Sequence, residues 1–181
     1  MPIGYQIVNQ DETYFLTFTV INWIDVFSRQ RYRDIIIESL KFCQQNKGLE
    51  VYAFVIMTNH IHLVVRCPNG NLSATIRDFK SYTAKKILES IAEGPESRNE
   101  WMLKMFNFAA ARNKRNEKLQ FWMQDNHAEV LNSNYFIDEK IDYIHNNPVK
   151  AGIVEKAEDY LYSSARAYAG IECVLDVILA E

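Results

Sequence analysis

His60 and His62 are the residues of this 181-residue chain whose type and spacing point most directly to chemistry. They sit in Met57-Thr58-Asn59-His60-Ile61-His62-Leu63-Val64-Val65, which from His60 onward has the composition of a β-strand. Side chains two apart in a strand leave the same face. The two imidazoles therefore stand side by side, while Ile61, Leu63 and Val65 face the other way. Paired imidazoles chelate a divalent transition ion, and they suit Zn, Mn, Fe, Cu and Ni better than Mg, which prefers oxygen. The same spacing also serves two ordinary sheet histidines with hydrogen-bond partners, so a metal centre requires a third ligand from elsewhere. His127 and His145 are the remaining histidines, and Asp125 and Glu129 flank the first of them. His145 lies in a helical stretch, where capping or packing is the expected role.

The elements that position these groups are legible in outline. Leu16, Phe18 and Val20 alternate with Thr17 and Thr19, a strand pattern over 14–20. Ile36, Leu40 and Cys43 give one apolar stripe on a helix over about 29–46, with Ser28 as its expected N-cap and Gly48 placed to end it. Segments 51–57 and 60–66, joined by Thr58-Asn59, read as a hairpin, and 67–70 as a turn. A second helix is expected over about 72–92, with Leu72, Ile76, Phe79, Ile87 and Ile91 inward and Gly94-Pro95 as its stop. Residues 95–118 are polar and basic apart from the apolar patch 101–111, and suggest a loop with a short helix. An extended stretch over 119–122 and a third helix over about 134–146, ended by Pro148, complete the core. The order strand, helix, strand, strand, helix, extended segment predicts an α+β, ferredoxin-like (RRM-like) antiparallel sheet with helices packed on one face. The length suits a single domain over 1–181, with a core at about 14–150 and a C-terminal extension at 151–181.

Composition bounds the function further. With 48% apolar residues the chain buries a real core and is not disordered. Cys43, Cys67 and Cys173 are scattered and lack CxxC spacing, which excludes a cysteine zinc site and points to a reducing, cytoplasmic setting. No membrane span or signal segment is expected. The formal charge of -3, taken as a whole, disfavours a nucleic-acid partner, but it is a sum of unlike parts. Residues 1–65 carry net -1, residues 66–118 net +5 and residues 119–181 net -7. Arg77, Lys80, Ser81 and Lys85 share a polar stripe on the second helix, and Arg112, Lys114 and Arg115 form a compact cluster after it. Such groups neutralise or hydrogen-bond phosphates.

The string around the histidines resembles the HUH motif (histidine, hydrophobic, histidine) of single-strand DNA transposases. More closely, the chain resembles the REP-associated tyrosine transposases of the IS200-like family. Segments 14–19, Phe79-Lys80-Ser81-Tyr82-Thr83, Phe121-Trp122, the run Tyr143 to Gly152 and Tyr162-Ser163-Ser164-Ala165-Arg166 match in the family's order. The resemblance implies a usually dimeric protein acting on hairpin single-stranded DNA. It also implies one divalent ion (Mg or Mn) on the paired histidines and a third ligand, and a tyrosine that attacks the phosphorus. His60 and His62 carry over as ligands. The family's tyrosine is missing, because Trp122 to Glu129 contains none. Ungapped, Asn126 or His127 takes the tyrosine's place and Glu129 the ligand's. With a short gap His127 takes the ligand's place, and this version is preferred. Tyr135, the nearest tyrosine downstream, is then the expected nucleophile. Two other readings stay open. One is a DNA-binding module that has lost cleavage. The other is an unrelated metalloenzyme using His60, His62 and His127 with water as nucleophile.

Overall fold

The computed structural model describes residues 6–68, 70–112, 119–124 and 127–180. Strands β1 (Tyr14–Thr19), β2 (Glu50–Ile56), β3 (His60–Arg66) and β4 (His127–Val130) form one sheet in the order β2-β3-β1-β4. Every neighbouring pair is antiparallel. Helix α1 (Gln30–Lys47) links β1 to β2, and α2 (Leu72–Glu93) follows β3. This is the split β-α-β topology expected from the order of elements. Leu16 and Phe18 of β1 and Ile61 and Leu63 of β3 are buried on the face that α1 and α2 cover, and Phe18 meets Phe79 of α2 at 6.1 Å between ring centroids. Gly48 ends α1 in the left-handed region (φ 69°), where glycine carries no Cβ penalty. Asn71 caps α2, its side chain accepting from the Ala74 N–H at 2.9 Å.

Several elements differ from expectation. Ser28 does not cap α1: Arg29 occupies the N-cap position, and the Ser28 hydroxyl donates to the Asp25 carbonyl. The fourth strand is 127–130 rather than 119–122. Trp122 instead makes an isolated bridge to Val20 farther along the same edge of β1. The short helix expected within 95–118 is present as α3 (Asn99–Ala111), which coincides with the apolar patch and buries Met102, Phe106 and Ala110. Trp101 and Phe108 are about half exposed on its other faces and blur the amphipathic pattern. Glu96, in the α2–α3 connection, is buried against Arg98, with Arg31 of α1 at 3.7 Å and the Tyr32 hydroxyl donating to it at 3.2 Å. Helix α4 (Asn134–Lys150) runs through Pro148 instead of stopping there. The proline lies in the last turn, so it forgoes one backbone bond, and its own carbonyl accepts from Ile153 at 2.9 Å.

α4 lies on the opposite face of the sheet from α1 and α2, an addition to the expected single helical layer. The chain after it protects the sheet edge. The Ile56 N–H donates to the Tyr162 carbonyl, and the Ser164 N–H to the Phe54 carbonyl, both at 3.0 Å. His145 of α4 is 2.8 Å from the Ser164 hydroxyl, which gives it the structural role expected of it. Among the described residues no helix is long and apolar enough to cross a membrane.

Candidate active site

The sheet register decides which side chains share a face with the histidine pair. Thr19 pairs with His60, and Thr17 pairs with His62 on one side and His127 on the other. Phe15 pairs with Glu129. Directly paired residues project together, so Phe15, Thr17, Thr19, His60, His62, His127 and Glu129 occupy one face. The rings of His60 and His62 lie 4.7 Å apart between centroids, side by side as their spacing requires.

Both imidazoles are held by a second partner. The Asn59 side-chain nitrogen donates to the Trp23 carbonyl at 3.3 Å, which turns its oxygen to His60 Nδ1 at 2.6 Å. That oxygen only accepts, so Nδ1 carries the proton and Nε2 keeps its lone pair. His62 Nδ1 is 2.8 Å from the Thr17 hydroxyl, which can accept as well as donate; in the tautomer where Nδ1 donates to it, Nε2 keeps its lone pair. Such outer partners fix the ring orientation of metal-binding histidines. His62 is only 5% exposed, stacked on Phe15 at 5.3 Å with 19° between the planes. Burial, followed by coulombic interactions with His60, His127 and Lys140, pushes it down to about 3. Burial lowers His60 too.

The ring of Tyr143, on α4, covers this stack, 5.4 Å from His62 and 5.9 Å from Phe15. Tyr135 does not. It lies eight residues earlier on the helix, about 12 Å along the axis, is 72% exposed and contacts Phe136. The tyrosine brought to the histidine pair is therefore Tyr143.

His127 and Glu129 share the face without joining the pair. His127 is two strands from β3 with Thr17 between, a backbone separation of about 10 Å. The Glu129 carboxylate is 2.8 Å from Lys140 Nζ and 3.7 Å from His127 Nε2. Among the described residues no three His, Cys, Asp or Glu side chains gather closely enough to hold an ion. Among the described residues the donor set thus offers a divalent ion two positions, His60 and His62, and no third. Asp125 lies outside the described residues.

Comparison with known proteins adds the family. A model described as "Transposase IS200 like" matches residues 10–109, more than half of the chain, from before β1 into α3 and across both histidines. The chain belongs to the IS200-like transposase family. A solved REP-associated tyrosine transposase bound to a REP hairpin is similar in fold, with a TM-score of 0.64 and 18% identity, over 100% of this chain and 94% of that one. A proposed transposase from Deinococcus radiodurans R1 aligns with a TM-score of 0.45 and 18% identity, over 81% of this chain and 97% of that one. Comparison with functionally curated proteins returned no match.

In this IS200-like transposase the matched segment stops before His127, Glu129, Tyr135 and Tyr143. The basic residues of α2 belong to the layer behind the histidines. Arg77 and Lys85 are about three-quarters exposed, at 3.0 Å from Asp78 and 4.0 Å from Glu89. Ser81 is exposed. Lys80 points inward, 5.3 Å from the Phe18 ring centre and within 3.4 Å of the Met123 carbonyl, and burial pushes it down to about 8. Arg112 is exposed and lies over the Phe108 ring. Lys114 and Arg115 lie outside the described residues.

Thr17, Asn59, Tyr143 and Trp23 were not singled out for the site by sequence reasoning. Pairing makes Thr17 a neighbour, but only the register, unknown beforehand, identifies it. Trp23 is 59% exposed, with its ring 6.1 Å from that of His60. Both it (φ 55°) and Asn22 (φ 53°) adopt the left-handed region, at a cost of about 1 kcal/mol each. No periodicity signals such a turn.

Proposed function

We propose that this protein binds hairpin-forming single-stranded DNA at the His60/His62 side of the sheet and cuts and rejoins the strand there. The observation that carries the reading is the oriented imidazole pair, whose Nδ1 atoms are engaged by Asn59 and Thr17 so that both Nε2 atoms remain for a ligand. Family membership supports strand transfer, and the similar REP-associated protein bound to a REP hairpin supports the choice of DNA form. His60 and His62 would hold a divalent ion, whose contribution when bound is Lewis-acid polarisation of a scissile phosphate. Imidazole ligation favours Mn over Mg.

The nucleophile we propose is Tyr143, supported by the contact of its ring with His62. Its phenolic oxygen forms the bond to phosphorus as the bond to the 3′ oxygen breaks. The phenolic proton passes to solvent and the leaving 3′ oxygen takes one up, giving a 5′-phosphotyrosine link and a 3′-hydroxyl. In this scheme Arg77, Ser81 and Lys85, on the helix layer behind the histidines, do not reach the strand at the pair, and a homodimer in the cytoplasm is part of the same proposal.

The test is incubation of an end-labelled hairpin single strand with the full chain and Mn²⁺. Cutting that stops with EDTA is the expected result, and intact DNA under saturating protein would contradict cleavage. A second reading, binding without cleavage, is favoured by one observation: no third metal ligand is gathered among the described residues. Tight binding with no cut product is its signature.

A further inference from the structure

We propose that Trp23 is a stacking platform for an unpaired base of the DNA strand, next to the phosphate engaged by the histidine pair. This rests on the DNA-binding reading above and adds to it a contact with a nucleobase.

The case begins with the backbone. Two successive non-glycine residues, Asn22 and Trp23, are held in the left-handed region. An L side chain with a Cβ is disfavoured there, so the surrounding structure must impose the turn. It does so with several bonds. The Trp23 N–H donates to the Val20 carbonyl at 3.0 Å and the Ile24 N–H to the Ile21 carbonyl at 3.3 Å. The Val20 N–H donates to the Asn59 carbonyl at 2.9 Å, and the Phe27 N–H to the Thr58 carbonyl at 2.8 Å. The loop is thereby stitched to the β2–β3 turn that ends in His60.

Burial of the indole does not explain the strain, since Trp23 is 59% exposed. What the strained turn achieves is placement: an exposed indole edge-on to His60, at 6.1 Å and 71°. One amide group couples the two, because Asn59 donates to the Trp23 carbonyl and accepts from the His60 ring. The loop that presents the indole and the imidazole offered to the phosphate thus share one positioning side chain. An exposed aromatic face beside a phosphate site suits a single strand, whose unstacked bases present π-faces whatever their sequence. Duplex DNA offers no such face except at an end.

The experiment measures the affinity of the full chain for a fluorescein-labelled DNA hairpin with a single-stranded flank. The same hairpin with every flank position abasic is the comparison. Trp23→Ala is expected to weaken binding to the intact flank about tenfold, and Trp23→Phe, which keeps an aromatic face, to recover most of the loss. The abasic flank should weaken the wild type by a similar factor and Trp23→Ala hardly further, as a shared contact requires. Trp23→Gly relieves the left-handed strain, so it is expected to melt at or above the wild-type temperature while losing the same affinity. Wild-type affinity in Trp23→Ala, or an equal loss on intact and abasic flanks, overturns the stacking role and leaves the DNA-binding reading standing. Absence of hairpin binding by the wild type overturns both.

Discussion

In Mn²⁺, the His62→Ala protein is expected to cut hairpin single-stranded DNA about a thousandfold more slowly than the wild type. That factor corresponds to about 4 kcal/mol of lost transition-state stabilisation, the scale on which an ion acts at a phosphoryl centre. His62 has two roles that alanine removes together. Its ring fills space between Phe15 and Tyr143, and deleting a buried aromatic ring costs about 3–5 kcal/mol of stability. Its Nδ1 hydrogen-bonds the Thr17 hydroxyl, and with Nδ1 donating, Nε2 is left for a ligand. His62→Phe separates the two, because it keeps a ring against Phe15 and Tyr143 and has no nitrogen. It is expected to stay folded by circular dichroism and to cut as slowly as His62→Ala. A His62→Phe protein that cuts at the wild-type rate would remove His62 from the chemistry.

The second large effect is expected at Tyr143. On a denaturing gel, the wild type in Mn²⁺ should leave a protein–DNA adduct, and Tyr143→Phe should leave none. Tyr135→Phe should leave as much as the wild type, because Tyr135 is about two helical turns away and has no ring contact with the pair. Tyr143 also packs on Phe15. Phenylalanine preserves that contact, so the substitution removes one oxygen and little else. An adduct that persists in Tyr143→Phe and disappears in Tyr135→Phe would restore Tyr135 as nucleophile. It would also require α4 to move on DNA binding.

The pairing of His60 with His62 was readable from sequence because strand alternation is local and strict, and the helices that support the sheet carried clear apolar stripes. Ile36, Leu40 and Cys43, and Ile76, Phe79 and Ile87, are all buried. What was not readable depends on contacts distant in sequence. The fourth strand is only four residues long, and its pairing with β1, not its composition, makes it a strand. α3 is apolar on more than one face, so its periodicity is blurred. Pro148 resembles a stop, yet a proline in a last turn costs one bond. The layer position of α4, which no local pattern sets, makes Tyr143 the tyrosine beside the pair. The block of positive charge at 66–118 is real in sequence, but its α2 portion lies behind the sheet. The left-handed turn at Asn22 and Trp23 had no glycine to announce it.

The central claim is that His60 and His62 together hold a divalent ion where the DNA strand is engaged. Pulsed electron paramagnetic resonance of one equivalent of Mn²⁺ with the full chain and a hairpin single strand tests it most directly. Coupling of the ion to two imidazole nitrogens is the predicted result, falling to one in His60→Ala and one in His62→Ala. Bound Mn²⁺ with no imidazole nitrogen coupling, or coupling unchanged in both variants, would contradict the account.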